Sequence, residues 1–427
     1  MRIIHTNERN GYMAANGLLP ADFLLPSGVD MSKWSVIACD QFTSDRDYWA
    51  RVEKTVGNDP STLHAILPEV YLGDPDVQFR IERLQAAMSE YLRMDLFRPY
   101  HGYVYVERTL NNGVIRRGIV GLIDLEDYSY ESRSESPIRS TEQTVLERIP
   151  PRLNIRKNSP LEIPHVIMLF DDPCDTVMSA IDTRKDSYEL LYDFELMENG
   201  GHITGWLLDR DEQCRVRKAF SSLAQSRPMA FAVGDGNHSL AAAKSSYELL
   251  KKDMPVEEYL VHPARYALVE AVNLHDPAMQ FEPIHRIIFD VDTDDLLNSM
   301  EKFFDRTPGF DSGDSPACCL SFKYIKGGKA GEITVRTPHH TLPVAALQDF
   351  LDHYLSSVGG KIDYIHGEET LKALAANPGS IGFLLPPIDK STLFDDVIRN
   401  GAFPRKTFSC GNAEDKRYYL ECRRIVP

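Results

Sequence analysis

The chain has 427 residues, of which 43% are hydrophobic and 26% are charged. These proportions exclude disordered, collagen-like and low-complexity proteins, and the length is enough for two or three domains. Lys and Arg together number 47 against 63 Asp and Glu, which gives a formal net charge of −16. Because binding to a polyanion needs a cationic surface, this charge argues against nucleic-acid partners and against anionic membranes.

The sequence indicates neither membrane insertion nor secretion. No run reaches the roughly 18 to 20 uncharged apolar residues that a membrane helix needs, and residues 1–20 lack the apolar core of a signal peptide. The seven cysteines show no C-x-x-C spacing, so we expect reduced thiols without a disulfide framework or a structural zinc site. Cys318 and Cys319 lie in an apolar run and are expected in a buried strand. We expect a cytoplasmic protein.

The first half of the chain predicts a hairpin followed by an irregular segment. Residues 102–124 contain two apolar runs joined by Asn111-Asn112-Gly113, and the Asn-Gly pair suits the positive φ of a tight hairpin turn. Residues 131–144 are polar, and the prolines within residues 147–160 disfavour both a helix interior and a strand interior.

From Ile163 onwards, apolar runs alternate with amphipathic ones. We predict strands at 163–170, 203–208, 229–236 and 265–274, and helices at 174–194, 211–225, 238–251 and near 343–357. This alternation predicts an α/β to α+β fold in which mixed sheets are flanked by helices. Because residues 307–316 are rich in Gly, Pro and Asp, we expect a main core at 1–310 and a C-terminal α+β portion at 311–427.

Two short segments are basic within this acidic chain. Residues 139–157 carry five basic side chains against two acidic ones, and residues 399–424 carry seven against three. Concentrated positive charge of this kind favours a local anion site over a face for a long polyanion. The alternative is that these arginines pair with the surplus carboxylates, and the sequence leaves both interpretations open.

The sharpest motif is a glycine-rich turn between a predicted strand and a predicted helix. At the start of a helix the first N–H groups lack partners and the helix dipole adds positive potential, so anions, and phosphates above all, bind there. The glycines permit close approach of a backbone, and His238 is a candidate donor to a phosphate oxygen. The other candidate ligand-binding residues of the turn are Gly234, Gly236, Asn237 and Ser239.

Asp235 admits three roles in this turn. It would repel a bare phosphate, so we expect it to hold a bridging Mg²⁺, to act as a general base or to cap the helix. The turn is not a dinucleotide fingerprint, because Ser239 occupies the third glycine position, and it lacks the G-K-[ST] ending of a Walker loop. The alternative is a purely structural strand-to-helix turn with a capping Asp and a hydrogen-bonded His.

Residues 231–244 resemble the hallmark of an uncharacterised bacterial and archaeal family, domain of unknown function family 1015. Many of its members have D-G-H-H-R at this turn, so Asp235, Gly236 and His238 match, whereas Asn237 and Ser239 differ. Three further segments resemble motifs of the family in the same order along the chain: Arg139-Ser140-Thr141-Glu142, Pro283-Ile284-His285-Arg286 and residues 401–408.

This D-G-x-H turn is also similar to the phosphate-binding turn of the ParB-like fold. That fold includes sulfiredoxin, a free-serine kinase and nucleotide-dependent partition proteins. The resemblance therefore implies a ParB-like core, and it groups the chain without supplying a reaction.

Candidate residues outside the turn are charged or titratable side chains, most of them near prolines. Glu142 is a candidate general base, and Asp40, which ends an apolar run, is either a site carboxylate or a helix cap. The candidate ligand-binding residues, some of them able to clamp a phosphate or a carboxylate, are Arg139, Arg148, Arg152, His285, Arg286, Arg405 and Lys406.

These residues favour a phosphate- or nucleotide-binding enzyme, such as a phosphotransferase. In this hypothesis a small phosphorylated ligand, a nucleotide with Mg²⁺, lies at the helix start, and Asp235, His238 and Glu142 take the catalytic roles. Two alternatives remain: a non-catalytic sensor of a nucleotide or phosphorylated metabolite, and an interaction scaffold in which the glycine turn is only architecture.

Overall fold

The computed structural model of the protein describes residues 17–305, 318–337 and 342–427. The chain divides into two compact units, each assembled from segments that are separate in sequence. Unit 1 comprises the chain up to Met279 together with Ser391–Ala402 and Gly411–Pro427, and unit 2 comprises Gln280–Lys390 and Phe403–Cys410.

The expected boundary near residue 310 lies outside the described residues. The division by packing falls at Met279–Gln280, and it assigns the last segment of the chain to unit 1 instead of to a C-terminal portion. Gly- and Pro-rich composition reports local flexibility, whereas shared cores decide which segments form one unit.

The described residues form short and medium-length helices between the strands. The helices are α1 Met31–Trp34, α2 Arg46–Val56, α3 Val77–Arg93, α4 Ile149–Lys157, α5 Met178–Asp182, α6 Arg210–Ser226, α7 Asn237–Asp253, α8 Val256–Tyr259, α9 Thr293–Asp305, α10 Pro343–Val358, α11 Glu368–Ala375 and α12 Leu393–Asn400. Single 3-10 turns lie at Thr62–Ala65, Glu69–Tyr71, Leu125–Asp127, Leu146–Arg148, Lys185–Ser187, Pro263–Arg265, Lys390–Thr392 and Ala413–Asp415.

The strands fall into two large sheets and two small ones. They are β1 Ala21–Pro26, β2 Phe97–Gly102, β3 Val104–Thr109, β4 Ile115–Asp124, β5 Tyr128–Ser129, β6 Ile138–Ser140, β7 Leu161–Glu162, β8 Ile167–Phe170, β9 Glu189–Leu196, β10 Gly201–Leu207, β11 Phe231–Asp235, β12 Tyr266–Asn273, β13 Phe281–Phe289, β14 Cys318–Lys326, β15 Lys329–Thr337, β16 Lys361–His366, β17 Ile381–Leu384, β18 Phe408–Cys410 and β19 Arg423–Arg424.

Unit 1 is built on a nine-stranded mixed sheet in the order β5-β6-β11-β8-β12-β4-β3-β10-β9. Side chains alternate between its two faces, as the period of a strand requires. On β12, Leu268 joins a core with helices α1 to α3, and Val269 joins a second core with α5, α6 and α7. The sheet is therefore covered by helices on both faces, which confirms the predicted mixed sheet with flanking helices.

The C-terminal segment passes through the core of unit 1. Residues 416–423 are all buried. The Trp34 indole donates to the carbonyl of Leu420 at 3.0 Å, and the Tyr419 N–H donates to the carbonyl of Val36 at 2.8 Å. The last residues of the chain are thus part of the core that the first described residues form.

Unit 2 is built on an antiparallel sheet in the order β15-β14-β17-β13-β16, with β18 added beside β13. Helices α9 and α10 supply the apolar side chains that cover it, among them Leu296, Met300, Leu347 and Phe350. The amphipathic helix predicted near 343–357 is α10.

Most elements with a clear period were predicted correctly. The hairpin at 102–124 forms from β3 and β4, with Gly113 at φ +80°. The predicted strands at 203–208, 229–236 and 265–274 are β10, β11 and β12, and the predicted helices at 211–225 and 238–251 are α6 and α7. The strand predicted at 163–170 is confirmed only for its last four residues, as β8.

Three expectations were wrong. The helix predicted at 174–194 is only α5, because 189–196 form the edge strand β9 on β10. The segment with Pro150-Pro151 is helix α4, since both prolines lie in its first turn, where the N–H groups have no intrahelical partner. Cys319 lies on β14 as expected, but its side chain is exposed.

Within the described residues, no helix is both long and apolar enough to cross a bilayer. Cys39, Cys174, Cys214, Cys319, Cys410 and Cys422 are free thiols.

Candidate functional site

The glycine turn links a buried strand of the large sheet to a helix of unit 1. β11 lies between β6 and β8 and ends at Asp235, and α7 begins at Asn237. Gly236 between them has φ +83°, and a Cβ there would lie 3.0 Å from the side chain of Val166. Glycine is therefore required at this position both for the left-handed backbone and for close packing.

No side chain caps the start of α7. The N-cap is Gly236, and the first intrahelical bond is donated by the Leu240 N–H to the Gly236 carbonyl at 3.0 Å. The N–H groups of Asn237 and Ser239 precede that bond. The expectation that Asp235 caps the helix was wrong, and the turn keeps the arrangement in which an anion is stabilised by helix N–H groups.

Two oxygen atoms beside the helix start are buried without a hydrogen-bond donor. They are Oδ2 of Asp235 and Oδ1 of Asn237. The Lys416 ammonium, on the C-terminal segment, lies 3.6 Å from Asp235 Oδ2, and its side chain is only 7% exposed. The helix start therefore combines a buried cation with two oxygens whose hydrogen-bonding capacity is unused.

His238 accepts a hydrogen bond in this structure. The Val145 N–H donates to His238 Nε2 at 3.2 Å, so this nitrogen carries the lone pair and does not donate to a ligand in this arrangement. The Thr141 hydroxyl donates to the carbonyl of Val233 at 2.7 Å. These two bonds hold the loop 141–145 against the glycine turn, and they place the backbone of Glu142 beside it.

The predicted ligand-binding residues Arg139, Arg148 and Arg152 have different surroundings. The Arg139 guanidinium donates to the carbonyls of Ser136 and Pro228, so it lies at the beginning of β11 and not at the turn. Arg148 is exposed at the start of α4. Arg152 is mostly buried, pairs with Glu69 and donates to the carbonyl of Arg148 at 2.7 Å. Only Arg152 lines a cavity next to the turn.

That cavity has a volume of about 150 Å³. It lies within unit 1, between α3, α4, the first turns of α7 and the segment that precedes β8. Its walls are mainly apolar, and the polar side chains that reach it are Cys39, Arg152, Arg156, Ser159, Glu162, His165, Ser239 and Tyr419.

A buried hydrogen-bond chain joins Cys39, Tyr419 and His165, which all line the cavity. The Cys39 N–H donates to the Tyr419 hydroxyl at 3.1 Å, and that hydroxyl lies 2.9 Å from His165 Nδ1. Nε2 faces the carboxylate of Asp40, which only accepts hydrogen bonds, so Nε2 carries a proton. His165 Nε2 lies 3.4 Å from Ser239 Oγ and 3.5 Å from Asp40 Oδ2.

Asp40, Ser239 and His165 do not form a catalytic triad. A triad uses both ring nitrogens, one for the carboxylate and one for the hydroxyl, whereas here Asp40 and Ser239 face the same nitrogen. Burial raises the pKa of Asp40, but His165, the Gln41 amide and Arg152 outweigh it and hold that pKa well below its ordinary value. Asp40 thus pairs with His165 beside the cavity, and it caps none of the described helices.

Burial keeps the thiol next to this carboxylate protonated. Burial, with the negative charge of Asp40, raises the pKa of Cys39 to about 12. Because the thiolate is the nucleophilic form, Cys39 contributes packing and a backbone donor and no nucleophile.

Four of the predicted ligand-binding residues belong to unit 2. His285 Nδ1 accepts from the Leu385 N–H at 3.1 Å. Arg286 is fully buried, donates to Gln348 and to the carbonyls of Ile284, Arg405 and Lys406, and stacks on Tyr364. The side chain of Arg405 donates to the Tyr364 hydroxyl. In unit 2, Arg286 thus fastens the loop that contains Arg405 and Lys406.

The basic segments largely pair with buried carboxylates. Glu162 accepts from both Arg156 and Arg423, and Arg417 donates to Glu270 and Glu421. Among the residues that the structure describes, no group of three or more His, Cys, Asp or Glu side chains converges as a metal site would require.

The family profile of a protein of unknown function, DUF1015, matches residues 25–354. The chain belongs to the DUF1015 family. No curated protein matches the sequence.

Several solved structures resemble this DUF1015 protein at low sequence identity. A conserved hypothetical protein from Pyrococcus furiosus has 10% identity and a TM-score of 0.36, over 72% of this chain and 95% of that one. Free serine kinase in complex with AMP has 10% identity and a TM-score of 0.37, over 72% and 91%. SbnI from Staphylococcus aureus, with a C-terminal truncation, has 7% identity and a TM-score of 0.34, over 70% and 82%.

Sequence reasoning missed three residues of this candidate site: His165, Lys416 and Tyr419. A histidine within an otherwise apolar strand-like run is a signal that could have indicated His165. Lys416 and Tyr419 lie in a basic segment that was noticed for its charge, but nothing local indicates which part of the fold they reach.

The replacement Gly236→Ala tests how tightly the turn is packed. We expect it to destabilise the protein by about 1–2 kcal/mol for the left-handed backbone and by roughly 1 kcal/mol more for displacing Val166. Gly113→Ala is the matched control, because Gly113 has a similar φ of +80° and no atom within 4 Å of its would-be Cβ. Urea denaturation of both variants measures the difference, and equal losses would show that the packing at Gly236 is unimportant.

Proposed function

We propose that unit 1 binds the terminal phosphates of a nucleotide at the start of α7 and transfers a phosphoryl group to a small acceptor. The observation that carries this proposal is the uncapped helix start with the buried Lys416 ammonium beside it. Helix N–H groups and a lysine together favour a phosphate over other ligands, because both supply donors and positive potential.

Asp235 and Asn237 support a role for Mg²⁺. Their two buried oxygens lack donors, and oxygen atoms are the ligands that Mg²⁺ takes, usually with waters and substrate phosphates completing its shell. These two residues would hold the ion against the nucleotide, where it would neutralise charge on the phosphates.

Glu142 is the proposed proton acceptor, and the hydrogen bond from its neighbour Thr141 to the carbonyl of Val233, two residues before Asp235, supports this assignment. In the transfer, the acceptor hydroxyl loses its proton to the Glu142 carboxylate while its oxygen forms a bond to the terminal phosphorus. The bond from that phosphorus to the bridging oxygen breaks, and the nucleoside diphosphate leaves. Arg139 is not assigned to this reaction, because its guanidinium donates to carbonyls near the beginning of β11.

The first test is a thermal-shift experiment with ATP, ADP, GTP, CTP and inorganic phosphate, each with and without Mg²⁺. A ligand at about 100 times its Kd adds roughly 2.7 kcal/mol to the stability of the folded state, which raises Tm by several degrees. We expect one nucleotide to do this in a Mg²⁺-dependent manner. If none of the ligands raises Tm, the helix start is architecture, as in the scaffold hypothesis.

Lys416→Met tests the role of the buried cation. A hydrogen bond to a charged group contributes about 1.5–3 kcal/mol, so the Kd of the nucleotide should rise about 10- to 100-fold. Lys244→Met is the matched control: Lys244 is also mostly buried, and its partners are Glu248 and the Leu125 carbonyl, which lie outside the turn. Calorimetric titration of both variants measures the Kd of the nucleotide. An equal loss of affinity in both variants would contradict the role of Lys416 in phosphate binding.

Asp235→Asn separates the enzyme from the sensor. In an enzyme, nucleotide consumption should fall while the nucleotide still raises Tm, because the amide keeps the shape and loses the charge. In a sensor there is no consumption to lose, so formation of the nucleoside diphosphate by the wild-type protein must be measured first.

A further inference from the structure

The cavity beside α7 is a second candidate ligand site, and Ser239 at the helix start also lines it. We propose that it binds a short-chain aliphatic carboxylate, with the carboxylate at the end formed by Arg152, His165 and Ser239. Lys416, which belongs to the proposed phosphate site, does not line this cavity, so the inference goes beyond the proposed function.

The walls of the cavity fit an apolar body of limited length. Side chains of α3, α4, α7 and the segments around them line it, and they are Ala65, Ile66, Leu67, Met88, Ile155, Leu161, Ile163, Val166, Leu240, Ala243 and Leu268. A volume of about 150 Å³ equals that of a protein cavity that holds a six-carbon ring. The ligand therefore has a chain of about five or six carbons.

The polar end offers hydrogen-bond donors that are not fully used. Arg152 engages two of its donor groups, with Glu69 and the Arg148 carbonyl. His165 directs its Nε2 proton towards Ser239 and Asp40 over distances of 3.4 and 3.5 Å, which leaves it able to turn to a better acceptor. A carboxylate accepts from a guanidinium in a bidentate manner and so matches this end.

No carboxylate lines that end of the cavity. Asp40 and Glu69 are not among the lining residues, and each already has a cationic or hydrogen-bonding partner. Glu162, which also lines the cavity, accepts from Arg156, Arg423 and the Leu268 N–H, so its acceptor capacity is satisfied. The carboxylate of the ligand is therefore expected at Arg152 and its hydrocarbon chain towards Leu268.

The experiment is a titration of the full-length protein with straight-chain carboxylates from propanoate to octanoate, without nucleotide. Each added CH₂ that enters the cavity should tighten the Kd about fourfold. The gain should stop at five or six carbons, where the cavity is full. Hexylamine and hexan-1-ol, which share the chain, should bind at least tenfold more weakly than hexanoate.

Enlarging the cavity should move this limit. Met88 lines the cavity, so in Met88→Ala the gain should continue for two or three more carbons. Met178→Ala is the matched control, because Met178 is equally buried in unit 1 but lies outside the cavity. Met178→Ala should therefore leave the limit unchanged.

The outcomes separate this site from the phosphate site. Lys416→Met should leave the carboxylate series unchanged, whatever it does to nucleotide binding. Absence of hexanoate binding, a Kd that does not depend on chain length, or equal binding of hexylamine or hexan-1-ol would each overturn the inference. A limit that moves equally in both methionine variants would overturn it as well.

Discussion

A chain that ends at Gly411 is expected to lose the cooperative unfolding of unit 1. Removal of residues 412–427 takes away the eight consecutive buried residues 416–423. It also leaves the Trp34 indole and the Tyr192 hydroxyl without their acceptors, Leu420 and Glu421. Burial of an aromatic side chain or a leucine contributes about 1.5–3 kcal/mol each, so the loss of Tyr418, Tyr419 and Leu420 alone is comparable with the usual net stability of about 5–15 kcal/mol.

Near-UV circular dichroism and a thermal melt of the truncated chain measure this effect. The control is removal of Val426 and Pro427 alone, since both are exposed, and it should leave the melt unchanged. A truncated chain with the same melting transition as the full-length protein would show that the C-terminal segment is dispensable for the core.

The glycine turn and the hairpin could be predicted because their determinants are local. Asn112-Gly113 favours the backbone conformation of a tight hairpin turn. An apolar strand followed by Gly-Asp-Gly and a run of small residues predicts β11 and α7 without information from the rest of the chain. The position of Ser239 at the start of α7 follows from the same pattern.

The rest of the site could not be predicted, because its contacts are distant in sequence. Tyr419 reaches His165 across 254 residues and Cys39 across 380 residues. No period or spacing records such contacts, and a basic segment looks the same whether its arginines face a ligand or a buried glutamate. Arg417 and Arg423 pair with buried glutamates.

Arg417→Met is expected to destabilise the protein by about 3–5 kcal/mol at neutral pH, since it leaves buried carboxylates without their cation. Arg417 donates to Glu270 at 2.8 Å and to Glu421 at 2.6 Å, and all three side chains are less than 5% exposed. Arg116, 3.7 Å from Glu270, is the remaining cation. Chemical denaturation measures the loss, and Arg93→Met, on an exposed pair with Glu90, should show none.

The loss of stability in Arg417→Met should also depend on pH, and the pKa of Glu270 sets the direction of this dependence. Burial raises the pKa of Glu270, but Arg116 and Arg417 outweigh it and hold the pKa below its ordinary value. In the wild-type protein this pair stabilises the fold above the unfolded pKa of the carboxyl, and that stabilisation disappears as the pH falls through the folded pKa.

In Arg417→Met the ionised form of Glu270 destabilises the fold instead of stabilising it. The folded-state pKa of Glu270 rises because its nearer cation is gone. A protonated carboxyl is cheaper to bury than a carboxylate, so the stability difference between variant and wild type should be largest at pH 7–8 and shrink towards pH 5. Unfolding free energies measured across this range test the argument. A loss below 1 kcal/mol, or one that is constant with pH, would mean that water or a backbone donor replaces the arginine and that the ion pair does not hold the C-terminal segment in place.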